Sequence, residues 1–389
     1  MKVNLYPIRS SLQHSDLDTT TKEFLQRLES KGNITFNLVD LDSLYNDCDC
    51  SMLLVQSGGS EGLFLEIFSK LKAPIYLLTY GSNNSLAASI EILSFLKKNN
   101  IQGEIIHGSD SYVEHRITEL AVHRTFGVIG KPSDWLIASL VNANDIKKHF
   151  NADIVFIETN ELMDEYNKLS EITYDDSHKF NDEEKRKAYK VYFALKNIVA
   201  KYNLSGLTIR CFDLLSTLNT TSCLALAKLN DDGVISSCEG DVPALITMQV
   251  VKEVTGLASF QANPSSIDIE SNTMVLAHCT IPLSMCETYE YDTHFESGIG
   301  LGIKGKLELG KITLLKISSD MEHFFISSGK IIETGNSRSL CRTQVKIKLD
   351  ENVSYFLSRP LGNHHIIVLG DHVKEIENYL LNHGLERVK

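Results

Sequence analysis

The stretch Gly233-Val234-Ile235-Ser236-Ser237-Cys238-Glu239-Gly240-Asp241-Val242-Pro243 carries the reading of the fold. Its first residues have the β-branched and small character of a strand, and the chain then passes through Glu239-Gly240-Asp241 into a helix. Pro243 suits the first helical turn, where its missing N–H has no intrahelical role, Asp241 suits the cap, and Gly256 suits the end. A strand that feeds a helix through a loop with two carboxylates is where open α/β sheets place ligands, beyond the carboxyl ends of their strands.

The same alternation extends toward the N-terminus. Met52-Leu53-Leu54-Val55 and Ala73-Pro74-Ile75-Tyr76-Leu77-Leu78 are short apolar runs that read as strands. After the second, Leu86, Ile90 and Leu93 share one helical face, with Lys97 and Lys98 in the last turn where cations suit the dipole. Gly103-Glu104-Ile105-Ile106, Phe126 to Gly130, Asp153 to Ile157 and Leu207 to Arg210 continue the series. Strands separated by helices imply parallel βαβ units. The run Asp182-Glu183-Glu184-Lys185-Arg186-Lys187 mixes charges and reads as a solvated helix face.

Past residue 260 the texture changes. Thr343 to Leu349 alternates Val345, Ile347 and Leu349 with Gln344, Lys346 and Lys348, the signature of a half-buried antiparallel strand. Thr273 to Ala277, Ile312 to Ile317 and Glu322 to Ile326 are also strand-like, and a helix from Val373 to Asn382 closes the chain.

A chain of 389 residues has room for two or three domains, and 43% hydrophobic with 23% charged residues can bury a substantial core. Lys and Arg number 38 against 50 Asp and Glu, a net charge of −12 that disfavours a nucleic-acid partner. Met1-Lys2-Val3-Asn4-Leu5-Tyr6-Pro7 runs straight into polar residues, without a signal-peptide core, and no apolar run approaches the ~20 residues of a membrane span. The eight cysteines are too sparse for a disulfide scaffold. The expectation is a cytoplasmic protein with reduced thiols and no membrane partner.

Two features carry chemistry. Glu239 and Asp241 can bind a metal or act as acid and base, although Asp241 has a local role as a helix cap. Seven of the 13 histidines lie from His278 onward: His278, His294, His323, His364, His365, His372 and His383. Adjacent strand residues point to opposite faces, so at most one of His364 and His365 faces a given site. A sheet-end glutamate with histidines is an oxygen and nitrogen donor set of the Mn²⁺ or Zn²⁺ type. Gly58-Gly59-Ser60-Glu61-Gly62 lacks a Walker lysine and reads equally as a tight turn, and Cys48-Asp49-Cys50 has no partner pair at zinc-finger spacing.

At these positions the chain resembles the L-fucose isomerase and L-arabinose isomerase superfamily, and specifically its shorter members. Gly58-Gly59-Ser60-Glu61 is similar to an N-terminal loop of the fucose isomerases, and Phe126-Gly127-Val128-Ile129-Gly130-Lys131-Pro132-Ser133 to the start of their second domain. Glu239-Gly240-Asp241 matches the family's Glu-x-Asp element. Leu276-Ala277-His278-Cys279 is similar to a Gly-Ser-His element, and Gly362-Asn363-His364-His365 to the element that supplies the metal histidine.

The resemblance implies two Rossmann-like parallel-sheet domains, residues 1–123 and 124–258, followed by a mainly antiparallel, barrel-like β domain, residues 259–389. It implies an aldose–ketose isomerase that acts on a small sugar through an ene-diol, uses a divalent metal such as Mn²⁺, and forms a homo-oligomer with sites at subunit interfaces. Carried over by residue, Glu239 is ligand and base, Asn263 stands where the family has its second acidic ligand, and His364 is a ligand with His365 as alternate. Asn363, Asp213, His278 and His365 are expected near the substrate, and Arg9 is similar to an N-terminal arginine that reaches a neighbouring subunit's site. Asn263, 24 residues beyond Glu239, is a departure. An asparagine carbonyl can ligate a hard cation but cannot accept a proton as a base. A carbohydrate-binding protein with lost or altered catalysis on the same scaffold is therefore the alternative.

Overall fold

The computed structural model describes residues 1–12, 16–30, 33–40 and 48–388, and divides into two compact units, Met1–His123 and Arg124–Lys389. The first unit contains strands β1 (Lys2–Ile8), β2 (Thr35–Leu38), β3 (Cys50–Val55), β4 (Ile75–Leu78) and β5 (Gly103–Ile106). They form a wholly parallel sheet in the order β2-β1-β3-β4-β5. β1 is not among the strands read from sequence. Pro7 interrupts its apolar run, yet Pro7 sits in register with Leu54 inside the sheet.

Two corrections concern helices. The helix Ser85–Lys98 does not bury the face of Leu86, Ile90 and Leu93: Ile90 is 53% exposed, and the buried positions are Ser85, Ala88, Ser89, Ile92 and Leu96. Small residues let the helix lie close, and its serines satisfy themselves locally, Ser89 Oγ donating to the Ser85 carbonyl at 2.8 Å. The charged run opening the helix Asp182–Tyr202 is solvated at Asp182, Glu183 and Arg186, half-buried at Glu184 and Lys187, and buried at Lys185, which donates to the His178 carbonyl at 3.1 Å. The Gly58 loop is a packed turn before the helix Glu61–Ile67: Gly58 N donates to Asn83 O at 2.8 Å, and a Cβ on Gly58 would lie 2.9 Å from Asn84 Cβ.

The second unit begins with a parallel sheet of β6 (Arg124–Ile129), β7 (Ala152–Ile157), β8 (Gly206–Ile209) and β9 (Ile235–Cys238), in the order β7-β6-β8-β9. The helix Val242–Thr255 follows β9 with Asp241 as its cap, proline in the first turn and Gly256 in the left-handed conformation at its end. Its buried residues run all round the axis, from Val242 to Val251, because it is packed on two sides. One side meets Phe126, Val128 and Ile235 of the parallel sheet, and the other meets Leu315, Ile317, Ile366 and Val368 of the barrel described next.

The remaining strands are β10 (Phe260–Asp268), β11 (Thr273–His278), β12 (Thr288–Asp292), β13 (Gly302–Lys306), β14 (Gly310–Ile317), β15 (His323–Thr334), β16 (Thr343–Leu349), β17 (His365–Leu369) and β18 (Glu386–Arg387). β14-β17-β10-β11-β16-β15 pair antiparallel in that order, and β15 pairs back with β14, which closes a six-stranded barrel. Alternation sorts the residues: Met274, Leu276, Val345, Ile347 and Ile367 share one core, while Ile366 and Val368 turn to the helix Val242–Thr255. Gln344 departs from the expected polar face. It is buried, its amide donating to the Ser337 and Cys341 carbonyls at 2.7 and 3.0 Å. The change of pattern near residue 259 thus falls inside the second unit, on either side of a shared helix.

Candidate metal centre

Three loops at the carboxyl edge of the parallel sheet build the site, following β6, β8 and β9. Glu239 stands directly after β9 with φ +66°, a left-handed conformation that a non-glycine residue adopts at a cost. Gly240 follows at φ +71°. A Cβ there would lie 2.7 Å from both Lys131 O and Pro132 Cα, so only glycine lets the β6 loop close onto this turn. The Ser133 N–H then donates to Glu239 O at 2.9 Å. Gly240→Ala should destabilise the protein by at least ~2 kcal/mol, from the left-handed backbone plus a clash with main chain that cannot swing away. An unaltered urea midpoint would contradict that packing.

The barrel reaches the same turn. Gln261 of β10 grips the backbone of Cys238, accepting from its N–H at 2.7 Å. His278 ends β11 on the face of Met274 and Leu276, and His364 immediately precedes β17. Among the described residues, Glu239, His278 and His364 bring ligand atoms within 4.8 Å of one another. Both histidines lie with Nε2 3.6 Å from Glu239 Oε1. The other ring nitrogens are anchored: His364 Nδ1 on Asp241 Oδ2 at 2.7 Å, and His278 Nδ1 with Thr280 Oγ1 at 2.9 Å.

Charge organises the cluster. Burial would raise the Glu239 carboxyl, but the neighbouring His278 and His364 rings outweigh it and hold the carboxyl well below the usual range. Burial would lower His364, yet Asp241 and Glu239 push it up to about 9. Burial lowers His278, against the pull of Glu239. Asp241 also caps the helix, accepting from Ala244 N at 2.8 Å, and lies 3.8 Å from Lys316 Nζ. Lys316 is only 1% exposed, burial lowers its amine against the pull of Asp241, and its Nζ makes no hydrogen bond among the described residues.

The residues fit a divalent first-row cation. His364 Nε2 is buried without a hydrogen bond among the described residues and faces a carboxylate, while its Nδ1 is held by a second carboxylate. That is the carboxylate–histidine arrangement that orients an imidazole toward a metal. Two imidazole nitrogens and a carboxylate oxygen form a donor set for such ions, with bonds of about 2.0–2.2 Å.

The other expected residues are placed as follows. Asn263 Oδ1 accepts from Asn363 Nδ2 at 2.7 Å, which puts both asparagines beside His364. His365 points away from its neighbour into an aromatic pocket, with Nε2 3.3 Å from Tyr355 OH and the Phe356 ring centroid at 4.6 Å. Asp213 opens the short helix after β8 and accepts from Arg210 Nε at 3.0 Å. Arg9 belongs to the first unit, where it pairs with Asp18 at 2.8 Å.

Sequence reading did not anticipate Trp135, Gln261 or Lys316. Trp135 Nε1 donates to Glu239 Oε2 at 2.7 Å, and the ring meets Phe212 edge-on at 4.8 Å. Its signal was available, since it is the one tryptophan of the chain and follows the Gly130-Lys131-Pro132-Ser133 loop. Lys316 had none: it occupies an ordinary alternating position in β14.

No protein-family model matches this chain. It is similar to sulfoquinovose isomerase from Clostridium sp. (strain MSTE9), 29% identical over 162 residues that cover 39% of this chain and 36% of that protein. The protein of the same name from Priestia megaterium is 26% identical over 182 residues, covering 45% and 40% respectively. That from Alkalicoccus urumqiensis is 24% identical over 195 residues, covering 47% and 44%. The matches span less than half the length of these curated relatives.

Proposed function

We propose that this chain is a metal-dependent aldose–ketose isomerase of the fucose and arabinose isomerase type that acts on a modified sugar. The observation that carries the reading is the buried Glu239–His278–His364 cluster, with His364 Nε2 turned toward Glu239 and lacking a hydrogen bond. The similarity to sugar isomerases supports it. In this reading Glu239, His278 and His364 hold a divalent cation, Mn²⁺ by preference, and Asn263 offers a neutral oxygen donor beside Asn363. When bound, the cation supplies Lewis acidity that polarises the sugar carbonyl and makes the neighbouring C–H more acidic.

The chain's own residues do the rest. Glu239 is held as a carboxylate at neutral pH, and Oε2, turned away from the histidines, keeps a lone pair for the proton that leaves C2. Delivering a proton from Glu239 to C1 of the ene-diol, while the O2 hydroxyl proton passes to O1, gives the ketose, with Glu239 acting as base and then as acid and exchanging its proton with solvent in between. Asp241 fixes the His364 ring and lies 3.8 Å from Lys316 Nζ, an amine that burial lowers against the pull of this carboxylate. Asn363 and His294 line the neighbourhood as neutral groups; burial holds His294 down at about 4.

The test is a panel of aldoses, including sugars with a sulfonate at C6, incubated with the Mn²⁺-loaded protein in deuterated water. The expected result is ketose formation with deuterium appearing at C1 of the ketose and C2 of recovered aldose. Sugar-induced stabilisation with neither ketose nor exchange, at any Mn²⁺ concentration, would overturn the isomerase reading in favour of the carbohydrate-binding alternative, which Asn263 in place of an acid favours.

A further inference from the structure

We propose that Trp135 is a positioning residue of the cation site: its indole N–H holds the Glu239 carboxylate so that Oε1 alone faces His278 and His364. The inference rests on the reading of those three side chains as cation ligands. The two carboxylate oxygens have separate partners. Oε2 accepts from Trp135 Nε1 at 2.7 Å, and Oε1 lies 3.6 Å from each histidine Nε2. A hydrogen bond to an ionised carboxylate is stronger than one between neutral groups, and this one selects a single-oxygen ligand over a carboxylate that chelates through both.

The tryptophan is itself well braced. It sits on the loop whose Ser133 N–H is bonded to the Glu239 carbonyl and whose Lys131 and Pro132 press on Gly240. Donor and ligand therefore belong to one packed piece of backbone. Phe212, from the loop after β8, supports the ring edge-on at an interplanar angle of 77° and in turn meets the His294 ring at 5.6 Å. Half of the Trp135 surface nevertheless stays exposed, so burial of the ring is not what the arrangement secures. Its neighbours Ile137 and Leu140 are more exposed still.

Donors that bond a ligand from outside the coordination sphere typically change metal affinity by 10–100-fold when removed. Because Trp135 is the chain's one tryptophan, its emission reports directly on the site. Titration of the whole protein with Mn²⁺ should quench that emission with the same midpoint that calorimetry gives. Trp135→Phe keeps an aromatic ring against Phe212 and removes only the donor. It should bind Mn²⁺ about 10–100-fold more weakly by calorimetry and shift the visible absorption of the Co²⁺-loaded protein, with thermal unfolding of the metal-free protein unchanged. Ile137→Ala, in the same loop, should bind as the wild type does. Wild-type affinity and an unshifted Co²⁺ spectrum in Trp135→Phe would overturn the proposal, as would an equal loss in Ile137→Ala. Failure of the wild-type protein itself to bind Mn²⁺ would overturn the cation-site reading, and this proposal with it, before any substitution is made.

Discussion

Glu239→Gln is expected to lower sugar turnover by roughly 10²–10⁴-fold at saturating Mn²⁺ while the protein remains folded, the range general acid–base groups contribute. Glutamine has the shape of glutamate and an amide oxygen that can still accept from Trp135 Nε1, so the loop contact at 2.7 Å can persist. Two things are lost together. The negative charge between His278 and His364 disappears, which weakens cation binding, and the side chain no longer accepts a proton. Steady-state rates and exchange at C2 measure the effect, and the urea midpoint of the variant separates it from unfolding. Turnover within a few-fold of the wild type would remove Glu239 from the mechanism.

Asp241→Ala is expected to be the most destabilising substitution in the site, by about 3–5 kcal/mol, the cost of leaving a buried ion without its partner. Asp241 does three things at once: it caps the helix Val242–Thr255, holds His364 Nδ1, and faces the buried Lys316 Nζ at 3.8 Å. The cap alone accounts for about 1 kcal/mol. The larger part comes from the two buried groups that Asp241 faces: His364, held at 2.7 Å and pushed up to about 9, and Lys316, which has no other carboxylate within ion-pair distance among the described residues. Lys316→Met in the Asp241→Ala background should therefore recover part of the loss, because the buried amine left without a partner is gone. Urea unfolding of the wild type, both single variants and the double variant completes the cycle. Losses that simply add in the double variant would show that the two groups do not interact.

Local elements were legible from sequence because their causes are local. The cap at Asp241, Pro243 in the first turn and Gly256 at the end mark the helix Val242–Thr255 within its own residues, and strict alternation marks Thr343–Leu349. Where a neighbour decides burial, that legibility fails. Ile90 is exposed because Ala88 and Ile92 fit the sheet better, and Pro7 is tolerated within β1.

For the site, the sequence by itself determined the sheet-end turn Glu239-Gly240-Asp241, and it restricted the adjacent pair His364 and His365 to opposite faces by strand geometry. The tertiary structure decided which groups meet there. His364 lies 123 residues from Asp241, and Trp135 lies 104 residues from Glu239. Closing the barrel carries β11 and β17 to the end of β9, and the β6 loop folds over Gly240. A donor set is defined by distances of a few ångströms between side chains, and spacing along the chain sets such distances only within one element; between elements, packing sets them.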